Sequence, residues 1–125
     1  MIRRTIASGY DFEATYGYSR AVRVGGTVFV SGTTARPPHL DGDAFAQMQA
    51  AIAIVRAALS EAGVELRHVV RTVTYCTDLA DAPLIARAHA VAFAAIRPAS
   101  TLVQVAALVD PRMRIEIEVT AVLDA

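Results

Sequence analysis

The sequence contains no lysine and no tryptophan, and Cys76 is its single cysteine. One cysteine permits no disulfide within the chain and no cysteine-rich metal site. Acidic and basic residues balance at 12 each, and every basic residue is an arginine. Without a net charge or a basic stripe, the chain is not expected to bind nucleic acid or an anionic membrane.

Long apolar runs are also missing, although 54% of the residues are hydrophobic. Arg56, Glu61 and Arg87 interrupt the longest stretches, so none reaches the roughly 18 residues that a bilayer span requires. The first residues lack the apolar segment of a secretory signal, and the expected location is therefore cytoplasmic. No GxSxG, Walker A or GxGxxG motif and no histidine pair with zinc-site spacing occurs, so no metal or cofactor is expected.

A length of 125 residues suits one domain with one hydrophobic core. No repeat or linker divides the chain, which we interpret as a single domain over 1–125. Alternation and helical periodicity predict an α+β fold with the order β-β-β-α-β-α-β-β. Strands are predicted at 2–7, 19–24, 27–31, 69–77, 100–108 and 113–123, with one helix over 44–62 and another between 81 and 98.

Local signals define the boundaries of these elements. Gly25 and Gly26 supply the positive φ angles of a tight hairpin turn. Asp43 and Asp81 are predicted to cap the two helices, and Gly63 is predicted to end the first. The residues from 33 to 43 include two consecutive prolines and therefore predict a loop.

The last strand predicts a sheet with two unlike faces. One row is apolar and should face the helices: Met113, Ile115, Ile117, Val119 and Ala121. The opposite row is half polar: Arg114, Glu116, Glu118, Thr120 and Val122. Neighbouring strands are expected to add to that half-polar face Thr72, Thr74, Leu102 and Gln104. Two helices cover only one face, so the other face is expected either to meet partner subunits or to be an ordinary solvated surface.

Glu116 and Glu118 lie about 7 Å apart on one strand face, a separation compatible with general acid–base chemistry. The alternative is a solvated strand on which Arg114 pairs with them. Cys76, within an apolar strand, is expected to be a buried small hydrophobe and not a nucleophile. His89 and Arg87 lie off the inward stripe of the second helix, which predicts surface or interface positions.

Several strings, in their order and spacing, resemble the RidA/YjgF family of reactive-intermediate (imine/enamine) deaminases. They are GYSRAV at 17–22, GTVFVSG at 26–32, VTY at 73–75 with DL at 78–79, PA at 98–99 with VQVA at 103–106, and IEIE at 115–118. The resemblance extends from about residue 2 to residue 123. It implies a chorismate-mutase-like homotrimer whose ligand sites lie in clefts between subunits.

The resemblance also implies roles for individual residues. Glu116 corresponds to the glutamate that holds the water for hydrolysis of an imine to a 2-oxo acid and ammonia. Tyr18, Ser31 and Gly32 correspond to residues that shape the substrate pocket. Glu118 is then expected to be a structural neighbour of Glu116.

Three positions depart from the pattern of active family members. Ser100 stands where an arginine binds the substrate carboxylate, Leu102 where cysteine is frequent, and Ala86 where asparagine is frequent. A serine hydroxyl supplies neither the charge nor the bidentate geometry of a guanidinium. The chain therefore resembles an arginine-lacking branch of the family.

Three functional hypotheses follow from the resemblance. The first is a hydrolase acting on a different imine, enamine or small carbonyl compound, with Arg20, Arg36 or Arg97 as a replacement anion contact or as surface residues. The second is a homotrimer that binds a small molecule without catalysis. The third, an endoribonuclease or translation inhibitor, has little support in a chain of zero net charge.

Overall fold

The computed structural model describes residues 2–123 and contains one mixed six-stranded sheet. Its elements are β1 (Arg3–Ile6), α1 (Asp11–Tyr16), β2 (Ala21–Val24), β3 (Thr27–Thr33), α2 (Ala44–Glu61), β4 (Val69–Cys76), α3 (Ala82–Phe93), β5 (Ala99–Gln104) and β6 (Ile115–Val122). The strand order is β1-β2-β3-β6-β4-β5. Among the strand pairs of residues 2–123, only β4–β5 is parallel, because α3 forms the crossover between these two strands.

Both predicted helices and the predicted hairpin are confirmed. Val24 pairs with Thr27 across the turn, and Gly25 has the predicted positive φ, 58°, whereas Gly26 does not have a positive φ. Asp43 caps α2 by accepting a hydrogen bond from the backbone N–H of Ala46 at 2.9 Å. Gly63 follows α2 with a φ of 85°, a left-handed conformation that favours glycine.

Two local predictions are wrong. The order given above lacks α1, since the six residues Asp11–Tyr16 are too few to show helical periodicity. Asp81 precedes α3 but forms no capping hydrogen bond with its side chain. Its carboxylate instead lies 3.4 Å from Nε of Arg114, and Asp78 caps the short 3-10 turn before it.

The apolar row of β6 faces the helices as predicted. Ile115, Ile117 and Ala121 are completely buried, in the layer where α2 packs on β3 and β6. Gln47 of α2 is also completely buried, and its side chain hydrogen-bonds to the backbone just before β6. Its amide nitrogen donates to the carbonyl of Arg112 at 2.9 Å, and its amide oxygen accepts from the N–H of Arg114 at 2.8 Å.

The predicted positions of the β4 and β5 side chains are wrong. Thr72 and Thr74 pair with Val119 and Ile117, so both threonines lie on the helix-covered face and are buried. The parallel register places Leu102 beside Thr74, and Gln104 follows on that same face. Threonine hydroxyls can be buried when they are hydrogen-bonded, so polarity alone did not reveal the register.

The opposite face is here called the open face, because no helix formed by the described residues covers its centre. Phe29, Val103 and Val122 are 51%, 39% and 41% exposed there. Every residue of the edge strand β5 is exposed. Apolar side chains left open along a sheet and its edge are typical of surfaces that meet other chains.

Within the described residues, no helix combines the length and the apolar character needed to cross a membrane.

Candidate functional site

A pocket of about 500 Å³ lies at the margin of the open face, where β3 bulges beside β6. We call it the Glu116 pocket, after the carboxylate on its floor. Val30 pairs with Val119 and Thr33 with Ile117, so β3 uses one residue more than β6 between these pairs. This bulge contains Ser31 and Gly32, which lie beneath the opening; β-bulges commonly re-aim side chains next to functional sites.

Gly32 makes room for the Glu116 carboxylate. A Cβ placed on Gly32 would lie 2.5 Å from Oε2 and 2.8 Å from Cδ of Glu116, both shorter than real contacts. The absence of a side chain at position 32 therefore determines where the carboxylate can lie. The φ of Gly32 is not positive, so the requirement is for space and not for backbone conformation.

Glu116 has an electrostatic environment that favours its protonated form. Partial burial raises the pKa of the Glu116 carboxyl, the nearby Glu118 raises it further, and Arg20 opposes both effects. Glu118 accepts a hydrogen bond from the hydroxyl of Tyr75. Arg114 pairs with Asp81, and within residues 2–123 no arginine forms an ion pair with Glu116. A half-buried carboxylate without a counter-ion is typical of groups that transfer protons or position water.

Arg20 is buried and holds the pocket wall together. Its guanidinium donates to Oε2 of Glu13 at 3.1 Å, the Gly32 carbonyl at 2.7 Å and the Tyr18 hydroxyl at 2.8 Å. It also donates to the Thr33 hydroxyl at 3.0 Å. Four of its five N–H donors are therefore occupied, which makes Arg20 a structural residue and not a solvated surface arginine.

Glu13 neutralises this buried arginine. Its carboxylate accepts hydrogen bonds from the N–H and hydroxyl of Ser8 as well as from Arg20. Burial would raise the pKa of Glu13, but these hydrogen bonds and the charge of Arg20 lower it overall. Glu13 is therefore held as an anion, whereas the environment of Glu116 favours its protonated form. The charge of Arg20 acts on both carboxylates.

Ser100 and Leu102 lie elsewhere, in a second cavity of about 470 Å³ between α3 and β5. We call it the Ser100 cavity. Ser100 is registered with Thr72 on the helix-covered face, whereas Glu116 lies on the open face. The Thr72 hydroxyl contacts Oγ of Ser100 at 2.8 Å and Nε2 of His89 at 2.9 Å. His89 is half-buried in this cavity, and burial lowers the pKa of its imidazole. Arg97 is exposed at the rim of the cavity.

The structure therefore separates the predicted site residues into two groups. Tyr18, Ser31, Gly32 and Glu116 line the Glu116 pocket together. Ser100 and Leu102 line the Ser100 cavity. Cys76 is buried as expected, and burial raises the pKa of its thiol. No group of three metal-ligating side chains occurs in the part of the chain that the structure describes.

Sequence reasoning missed Glu13, Tyr10 and Phe12, and from the residues alone it left open whether Tyr16 lines a pocket or packs at an edge. Tyr10, Phe12 and Tyr16 join Tyr18 around the pocket. Phe12 and Tyr16 are one helical turn apart on α1, and their rings stack with centroids 5.6 Å apart. The sequence signal for this aromatic wall was the close spacing of the aromatic residues at positions 12, 16 and 18, with Glu13 among them.

Comparisons with known proteins agree with this fold. A family model described as endoribonuclease L-PSP matches residues 9–123. A solved member of the YjgF/YER057c/UK114 family from Mycobacterium tuberculosis superposes with a TM-score of 0.91 at 41% identity, covering 98% of this chain and 100% of that one.

Two curated relatives are similar over nearly the whole chain. An uncharacterized protein of Streptomyces coelicolor is 33% identical over 121 residues, which cover 94% of this chain and 90% of that protein. The mouse protein named 2-iminobutanoate/2-iminopropanoate deaminase is 31% identical over 127 residues, covering 98% of this chain and 93% of that protein. The chain belongs to the YjgF/RidA family, and its sheet with two covering helices is the fold of that family.

Proposed function

We propose that this protein binds a small reactive imine, enamine or related carbonyl compound in the Glu116 pocket and hydrolyses its C=N bond. The observation that carries the proposal is the Glu116 carboxylate itself. It is half-buried above Gly32, lacks an arginine partner within residues 2–123, and has a raised pKa. The 31% identity to the mouse deaminase supports the same class of reaction.

The proposed chemistry needs one water and one carboxylate. Ionised Glu116 accepts a proton as the water oxygen attacks the carbon of a protonated imine, giving a tetrahedral amino alcohol. The proton then passes from Glu116 to the amino group, the C–N bond breaks as the hydroxyl proton returns to the Glu116 carboxylate, and ammonia and a neutral carbonyl compound leave. A raised pKa suits this role, because a more basic carboxylate accepts a proton more readily and also returns it.

Tyr18 and Ser31 would position the substrate in this scheme. The Tyr18 hydroxyl accepts a hydrogen bond from Arg20, which leaves its own proton available to a ligand. The Ser31 hydroxyl donates to the Ser19 carbonyl at 2.6 Å, so it can act toward a ligand only as a hydrogen-bond acceptor. Both groups are therefore fixed before a ligand arrives, which reduces the entropy lost on binding.

Ser100 and Leu102 join the same site only if a second copy of the chain supplies them. Within one chain they lie on the opposite face of the sheet from Glu116. We therefore include in the proposal a homotrimer in which the Ser100 cavity of one subunit adjoins the Glu116 pocket of the next. The exposed β5 strand and the apolar open face support this arrangement.

Light scattering during size-exclusion chromatography tests the assembly. We expect a mass of three times 13.3 kDa at micromolar concentration. A 13.3 kDa species that retains full turnover would contradict the shared site, because one chain cannot bring both cavities to the same ligand.

The hydrolytic proposal is tested with freshly generated 2-aminoacrylate and with the imine formed in situ from phenylalanine by an amino acid oxidase. Carbonyl product should form faster than in the spontaneous reaction, and Glu116→Gln should remove the acceleration. The alternative, a trimer that binds small molecules without catalysis, is favoured by the uncharged Ser100. It predicts ligand binding with no acceleration for the unmodified protein.

A further inference from the structure

Arg36 is the cation of the Glu116 pocket whose hydrogen-bonding capacity is least used. It lines the pocket together with Glu116, and its side chain is 25% exposed. Its guanidinium donates only to Ser8, at 2.7 Å to the hydroxyl and 3.5 Å to the carbonyl. Three of its five N–H donors therefore have no hydrogen bond among residues 2–123.

Glu13, the acidic neighbour of Arg36, forms no hydrogen bond with its guanidinium. Oε2 of Glu13 lies 3.8 Å from Nη2 of Arg36, beyond hydrogen-bond distance, because that carboxylate already accepts from Ser8 and Arg20. Two guanidinium groups thus share one carboxylate. Partial burial lowers the pKa of Arg36 and the charge of Arg20 lowers it further, whereas Glu13 raises it, so Arg36 keeps an unfavourable interaction with Arg20. A bound anion would relieve it.

Aromatic side chains surround this charge. The guanidinium carbon of Arg36 lies 4.6 Å from the centroid of the Tyr10 ring. Phe12 and Tyr16 stack near the entrance and are 36% and 76% exposed. Val109 lines the pocket as well and is 72% exposed. A cavity of about 500 Å³ is much larger than a three-carbon acid needs and fits the size range of drug-like ligands.

We propose, on the basis of the function proposed above, that Arg36 anchors the carboxylate of an aromatic or bulky apolar 2-imino or 2-oxo acid, whose side chain packs against Phe12 and Tyr16. The anion contact then lies in the same pocket as Glu116, within one subunit. Ser100 lies on the other face of the sheet and, in this arrangement, does not have to supply a charge for the carboxylate. Leu102 and Phe93 belong to the apolar lining of the Ser100 cavity and have a packing role there. A guanidinium suits this anchor because its planar fork matches both carboxylate oxygens.

Calorimetric binding of phenylpyruvate, with phenylacetate and the neutral phenylacetamide as a matched pair, tests this assignment. The native protein should bind phenylacetate at least tenfold more tightly than phenylacetamide. Arg36→Gln should weaken phenylpyruvate binding roughly ten- to a hundredfold and abolish the preference for acid over amide. Arg36→Lys retains the charge beside Glu13, so it should fold normally and still lose about tenfold in affinity.

Two controls keep this result separate from the hydrolytic proposal. Arg87 lies over the Phe45 ring at 4.7 Å, away from the pocket, so Arg87→Gln should leave phenylpyruvate binding unchanged. Glu116→Gln should bind phenylpyruvate at least as tightly as the native protein, whether or not the protein hydrolyses imines. Native affinity for phenylpyruvate in Arg36→Lys and Arg36→Gln, or equal native affinity for phenylacetate and phenylacetamide, would overturn the assignment of Arg36.

Discussion

Replacing Glu13 with glutamine lowers the free energy of unfolding by about 3–5 kcal/mol, because a buried ion pair that loses one partner leaves an uncompensated charge. Glu13 is 6% exposed and Arg20 is 1% exposed. Glutamine has nearly the same shape as glutamate, so the loss reflects charge and hydrogen bonding and not a cavity. For a chain of this length the melting temperature should fall by roughly 10–20 °C.

Glu65 offers a matched control for this measurement. Its carboxylate also pairs with an arginine, Arg67, at 2.8 Å, but both side chains are about two-thirds exposed. Exposed pairs are screened by water and ions, so Glu65→Gln should leave the melting temperature unchanged. Equal melting temperatures for the Glu13 and Glu65 variants would show that the buried Glu13–Arg20 cluster does not stabilise the fold.

Replacing Gly32 with alanine should reduce imine hydrolysis roughly a hundredfold while changing the melting temperature little. The new Cβ would lie 2.5 Å from Oε2 of Glu116, so the carboxylate must move away. Displacement of a reacting group by about 1 Å commonly costs two orders of magnitude in rate. The end of a glutamate side chain moves easily into the open pocket, so the fold should tolerate the change.

Gly26→Ala is the control for the glycine substitution. Gly26 lies in the β2–β3 hairpin turn, and its nearest neighbour would be the Leu123 carbonyl at 3.2 Å. The kinetic constants of the Gly26→Ala variant for imine hydrolysis should match those of the native protein. Native turnover in Gly32→Ala would contradict the placement of Glu116 over Gly32 as the working geometry.

The sequence predicted most of the fold because its signals were local. The alternation of Ile115, Ile117 and Val119 identified the buried face of β6, and Asp43 marked the start of α2. The family resemblance also selected Tyr18, Ser31, Gly32 and Glu116, which the structure brings into one pocket. Ser31, Gly32 and Glu116 are close in space because β3 and β6 are paired, and Arg20 connects Tyr18 to Gly32.

The remaining features depend on contacts between distant segments. The register of β4 is fixed by its pairing with β6, and that of β5 by its pairing with β4, which no property of Thr72 or Leu102 alone determines. Helix α1 is short, and the role of Glu13 becomes evident only when Arg20 and Ser8 are placed beside it. The sequence left Arg20, Arg36 and Arg97 as equal candidates for an anion contact or for surface residues, and only the structure places Arg36 in the lining of the Glu116 pocket.

The proposed function depends on Glu116, the carboxylate that carries the reaction of the pocket. The most direct test measures hydrolysis of freshly generated 2-aminoacrylate and of the phenylalanine-derived imine by the native protein and by Glu116→Gln, with phenylpyruvate affinity measured on both. We expect acceleration over the spontaneous reaction for at least one imine, a loss of at least a hundredfold in the variant, and unimpaired binding of the 2-oxo acid. Equal turnover by the two proteins, or no acceleration of either imine by the native protein, would contradict this role of Glu116.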